Sequence, residues 1–176
     1  MPKRKPFGFT PASWRRGFSV DRQRSAVYGA ERRWESTLPR QRRLTPLECT
    51  AIVRAIFTAP WTVTEFGRRV TIPKLRFPES HLLKWAYGSR REIVLPPWAR
   101  TVPTVLHETA HALVGVAVAH GPLWARTMHE LVRRFFTEPQ AHRHAVCYSE
   151  ARVISAPMPR KRRRSRPRIK KGLHHA

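Results

Sequence analysis

The chain has 176 residues and a formal net charge of +24, from 35 Lys and Arg against 11 Asp and Glu, a size that suits one folded unit with tails. Its 2 cysteines, Cys49 and Cys147, form no CxxC pair, which argues against a disulfide scaffold or a thiolate zinc site. The longest apolar run in the middle, the eight residues between His111 and His120, is far short of the roughly 18 that a membrane span needs.

The excess charge lies at the ends. Residues 1–43 carry 12 basic and 3 acidic groups, residues 44–157 carry 14 and 8, and residues 158–176 carry 9 and none. Residues 1–18, with three prolines, two glycines and five basic groups, read as a flexible basic arm. Within it, Trp14-Arg15-Arg16-Gly17-Phe18 has the look of a twin-arginine export signal, but Ser19-Val20-Asp21-Arg22 follows instead of an apolar segment. The expectation is a cytoplasmic protein with reduced thiols and no membrane partner, folded over residues 19–155.

From Val20 to Glu35, Ala26, Val27, Ala30 and Trp34 recur at helical spacing among charges and predict an amphipathic helix. A basic linker follows over 36–45. Thr45-Pro46-Leu47-Glu48 is a helix start, with Thr45 as N-cap, Pro46 at the first helical position and Glu48 at the capping-box position. That helix should run to about Thr58 and bury Leu47, Ala51, Ile52, Ala55 and Ile56, leaving Cys49 a spectator.

Between Trp61 and Leu95 the segments WTVTEF, RRVTI, HLLKWAY and REIVL are rich in β-branched and aromatic residues. Gly67, the stretch Pro73 to Pro78, and Gly88-Ser89 separate them, which predicts a small, mainly antiparallel sheet of three or four strands. The next helix has Thr101 as N-cap and Pro103 in its first turn. Its apolar stripe is Val102, Leu106, Ala110, Leu113 and Ala117. Two further helices are expected at about 122–136 and 139–153, giving an α+β fold.

Residues 156–176 read as a basic disordered tail. Arg160, Lys161, Arg162, Arg163, Arg164, Arg166, Arg168, Lys170 and Lys171 repel one another, and Pro159 and Pro167 interrupt helix. Such a run can bind the phosphates of nucleic acid by counterion release, without regard to base sequence.

His107, Glu108 and His111 form HExxH. Residues four apart on a helix share a face, so both imidazoles can reach one metal with Glu108 beside it. Zinc with three protein ligands keeps a water in its fourth position at a pKa of about 7. A neighbouring carboxylate can take that water's proton during attack on a carbonyl and pass it to the leaving amine. As core histidines, the two imidazoles and an ionised Glu108 would each need a partner against desolvation.

For the third ligand, a metzincin spacing is excluded, because Val114 and Ala117 stand where Gly and His would be. Glu130 lies 19 residues after His111, a gluzincin-like spacing; with His120 as third ligand instead, His129 is an outer or surface group. His120 is the other candidate: Gly115 can end the helix and Gly121-Pro122 can start another, placing His120 at a turn. Tyr28, Tyr87 and Tyr148 are candidates for stabilising an oxyanion. His142 and His144, two apart on a helix, face different ways, and His81 falls in a predicted strand.

HETAH followed by His120-Gly121-Pro122-Leu123-Trp124 resembles the SprT-like zinc metallopeptidases, whose third ligand is the His of HGPxF. DRQRSAVYGAE, IVLPPWARTVPTVLHETAH and YSEARV resemble, more closely, a group of small actinobacterial and phage metallohydrolases of that type, over about Asp21 to Val153. Where that family usually has Glu and Phe, this chain has Leu123 and Trp124. The resemblance implies a minimal zincin-like domain with zinc held by His107, His111 and His120, Glu108 as general base and acid, and a protein substrate. The alternatives are a nucleic-acid-binding protein with a structural or inactive zinc site, and a zinc hydrolase of a non-peptide amide.

Overall fold

A computed structural model describes residues 21–67, 70–79 and 83–157. The predicted N-terminal arm, parts of RRVTI and HLLKWAY with His81, and the nine basic residues from Arg160 to Lys171 lie outside the described residues. The fold is α+β, with six helices and a small three-stranded mixed sheet among the described residues.

Helix α1 (Arg24–Glu35) turns Val27, Ala30, Glu31 and Trp34 inward. Helix α2 (Pro46–Thr58) begins at the predicted capping box: the Glu48 N–H donates to the Thr45 hydroxyl, and the Glu48 carboxylate accepts from the Thr45 N–H at 2.8 Å. Its buried face corrects the expectation. Cys49, Val53, Ile56 and Phe57 are inside, whereas Leu47 is 79 % exposed. Apolar residues surround most of this helix, so two stripes compete, and packing against the HExxH helix favours the one that buries Phe57.

WTVTEF, predicted as a strand, lies in a helix, α3 (Pro60–Phe66). Pro60 takes the first helical position, and the Thr62 and Thr64 hydroxyls donate to the carbonyls of Ile56 and Pro60, at 2.5 and 2.9 Å. These local bonds outweigh β-branched propensity, which is a weak and context-dependent preference. Strand β1 (Lys74–Arg76) instead occupies the Pro73 to Pro78 stretch read as a separator.

Strands β2 (Tyr87–Gly88) and β3 (Glu92–Val94) are short remnants of the predicted HLLKWAY and REIVL segments. The order is β1-β3-β2, with β1 parallel to β3 (Leu75 opposite Ile93) and β2 antiparallel to it (Gly88 opposite Ile93). The sheet is therefore mixed rather than mainly antiparallel, because β1 pairs across the intervening β2 turn.

Helix α4 (Val102–Val114) carries HExxH and packs on α5 (Pro122–Phe135), on α2 and on the sheet. It is buried from Val105 to Ala110 and again from Ala112 to Val114, so its predicted stripe is only part of a wider buried surface, and Ala117 lies exposed beyond its end. Helix α6 (Glu138–Glu150) packs against α1 and α5. Cys49 and Cys147 are free and buried. Among the described residues no helix is long and apolar enough to cross a membrane.

Candidate metal centre

Helix α4 ends where the sequence suggests. Gly115 has φ +88°, a conformation that glycine adopts without the steric conflict of a Cβ, and the Arg90 guanidinium donates to the Val114 carbonyl at 3.2 Å. A short 3-10 turn (Val116–Val118) leads to Ala119, whose φ of +46° is unusual for a residue with a side chain. That turn brings His120 back beside α4, and α5 starts at Pro122.

The consequence is convergence. His120 Nε2 lies 3.3 Å from His107 Nε2 and 3.3 Å from His111 Nε2. The ligand atoms of the three histidines all fall within 4.8 Å of one another. Zinc–nitrogen bonds of about 2.0–2.1 Å in a tetrahedron place their nitrogens about 3.3–3.4 Å apart, so the donor set fits such an ion. His107 and His120 are buried, as is Trp124, whose ring centroid lies 4.7, 5.2 and 4.6 Å from those of His107, His111 and His120. Tyr28 covers the other side, 5.5 Å from His107 and 5.1 Å from His120.

Two carboxylates back the ligands, and both were missed from the sequence. His107 Nδ1 is 3.0 Å from each oxygen of Glu31, which also accepts from the Tyr148 hydroxyl at 3.3 Å. His120 Nδ1 is 2.5 Å from Asp21 Oδ2. The signals available were that Asp21 and Glu31 open and close the DRQRSAVYGAE stretch of the resemblance, and that Asp21 is the single aspartate of the chain. Gln23 adds a hydrogen bond to the His120 carbonyl at 2.8 Å.

Electrostatics separate the three rings. Burial disfavours a charge on His107, but Glu31, together with Glu108 and Glu35, outweighs it and raises the ring to about 9. Burial and the positive charges nearby push His111 down to about 2, and burial also lowers His120. Without a metal the cluster therefore tends to hold a proton on His107.

Glu108 is buried next to His107, and burial lifts its carboxyl to about 7, aided by Glu31 and opposed by His107 and the Gly88 N–H. That value suits a group that both takes and returns a proton near neutral pH. Strand β2 lies directly against it: a Cβ on Gly88 would sit 1.9 Å from the Glu108 carbonyl oxygen.

The other candidates go elsewhere. Glu130 pairs with Arg134 at 2.6 Å and Arg133 at 3.7 Å and is not among the converging ligands. His129 faces His144, Nδ1 to Nδ1 at 3.3 Å, and His142 is exposed. Tyr87 donates to Glu92, and Tyr148 serves Glu31, leaving Tyr28 as the tyrosine that packs on the ligands.

Set against family models, curated proteins and solved structures, the chain matches none. The site therefore rests on its own geometry.

Proposed function

We propose that the chain is a zinc-dependent metallopeptidase of SprT-like type, with a minimal zincin-like domain and a cytoplasmic location. The observation that carries this reading is the convergence of three imidazole nitrogens around a helix that also holds a buried Glu108. His107, His111 and His120 would hold the ion. Zinc, when bound there, supplies Lewis acidity and lowers the pKa of water.

The chain's own residues do the rest. Glu108 takes the proton of the attacking water and hands it to the leaving amine nitrogen. Trp124 and Tyr28 cover the imidazoles and exclude bulk water, which strengthens every charge interaction inside. Specificity for a protein substrate is part of the proposal, since the same chemistry would serve another amide.

The experiment is zinc content measured together with proteolysis, for the wild type and Glu108→Gln. Expected are one zinc per chain in both proteins, and a loss of turnover of about 10²- to 10⁴-fold in the variant. A wild type without zinc, or a Gln variant that cleaves equally well, ends this reading.

The second reading, a nucleic-acid-binding protein with a structural zinc, is motivated by the net charge of +24. Structural sites are closed by a fourth protein ligand. Among the described residues no fourth side chain joins the three histidines, which supports the catalytic reading. The basic ends would then deliver the enzyme to nucleic acid or to proteins bound there. Deleting residues 158–176 should weaken DNA binding and flatten its salt dependence; unchanged affinity and slope would remove the tail from the proposal.

A further inference from the structure

Besides the packing of Tyr28, the segment Asp21–Glu31 reaches the candidate site through three hydrogen-bonding side chains. Glu31 reaches His107 Nδ1 with both oxygens, Asp21 reaches His120 Nδ1, and Gln23 holds the His120 carbonyl. The His111 ring receives no comparable partner; among the described residues its one hydrogen-bond contact is with the His120 ring. This pattern is selective. In a chain with 11 acidic residues, two of the three in the first 43 are spent on the far nitrogens of two histidines.

An ionised carboxylate only accepts hydrogen bonds, so the ring nitrogen facing it must carry the proton. In the neutral form of either ring this is the Nδ1–H tautomer, the one that leaves Nε2 with a free lone pair for an ion. The two Nε2 atoms lie 3.3 Å apart. Glu31 is itself held by the Tyr148 hydroxyl from α6, so its orientation does not depend on α1 alone.

We propose that Asp21 and Glu31 are positioning residues for the metal centre, fixing His120 and His107 with Nδ1 protonated and Nε2 directed at the ion, with Tyr148 steadying Glu31. This inference rests on the zinc reading of His107, His111 and His120. It adds that a segment remote in sequence from HExxH, running from Asp21 into α1, backs two of the three histidines.

The test uses the full chain and measures zinc affinity by chelator competition, the visible ligand-field spectrum of the Co²⁺-substituted protein, and the thermal midpoint of the metal-free form. Partners of metal-bound histidines typically contribute about 10- to 100-fold in affinity. Asp21→Ala and Glu31→Gln should weaken zinc binding by that range and alter the Co²⁺ spectrum. Asp21→Asn keeps an acceptor without the charge and should fall between Asp21→Ala and wild type. Glu35→Gln, on the same helix but with no hydrogen bond to a histidine, should change affinity by less than about threefold, well below that range.

Asp21 precedes α1 and is partly exposed, so its variants keep the test decisive even if Glu31→Gln does not fold. If the wild type binds zinc and the Asp21 and Glu31 variants bind it equally with an unchanged Co²⁺ spectrum, this inference falls and the zinc reading stands. Equal losses in Glu35→Gln would also overturn it, in favour of a general charge effect. A wild type that binds no zinc overturns both.

Discussion

Among the described residues histidines meet in two places, and the two differ in what surrounds them. His107, His111 and His120 bring three nitrogens together, with Asp21 and Glu31 behind two of them. His129 and His144 also meet at 3.3 Å, between α5 and α6, but only two nitrogens face each other, and among the described residues no carboxylate hydrogen-bonds to either ring, Glu130 acting on His129 only through space. His144 is packed among Trp34 and Tyr148 at ring-centroid distances of 4.8 and 4.1 Å. Proximity of imidazoles is thus not what distinguishes a candidate metal centre. The distinguishing features are a third converging nitrogen and compensating negative charge, because an ion in an apolar site needs both.

Exchange of one histidine in each place gives the largest contrast. His111→Ala should lower zinc affinity by more than the roughly 100-fold associated with removing an outer partner. His144→Phe should leave zinc stoichiometry unchanged in the same assay. Equal zinc loss in both variants would erase the distinction.

Next in size is Gly88→Ala. The added methyl meets the Glu108 carbonyl at 1.9 Å, and both groups are backbone-anchored, so β2 must move off α4. Overpacking of this kind costs on the order of 3 kcal/mol. Denaturant unfolding should show the loss, and a stability within about 0.5 kcal/mol of wild type would mean that β2 is not held against the HExxH helix.

The smallest effect per unit of the variable changed is a pH dependence from the second histidine pair. Burial, reinforced by His129, depresses His144 from 6.5 to about 3. The unfolded chain therefore takes up a proton on His144 as pH falls through 6.5, while the folded chain does not until near 3. Neutral His144 contributes stability that is fully present above that upper value and is lost toward the lower one, with a slope of at most about 1.4 kcal/mol per pH unit. Chemical denaturation of wild type and His144→Phe between these limits should show a flatter profile for the variant. Parallel profiles would show that another group controls the acid limb.

How much of this was legible in the chain depends on how far apart the interacting groups lie. The capping box at Thr45 and Glu48, the helix from Thr101, its end at Gly115 and the return at His120 all follow from residues within a few positions of one another. The estimate of three or four strands was of the right size, but WTVTEF became α3 and the sheet became mixed, because Pro60 and side-chain bonds to the preceding carbonyls decided the first and pairing to Glu92–Val94 the second. For α2 the composition offered two apolar faces, and only contact with α4 chose between them.

By itself the sequence determined the local layout of the candidate site: HExxH at helical spacing, a glycine to end the helix, and a third histidine before a proline-started helix are local facts. Tertiary structure decided which distant groups complete it. Glu31 and His107 are separated by 76 positions, and Asp21 and His120 by 99. No periodicity connects such pairs. They meet because α1 packs its buried face onto the α6 side of the core, a choice made by the summed burial of Val27, Ala30 and Trp34 rather than by any local signal around the carboxylates.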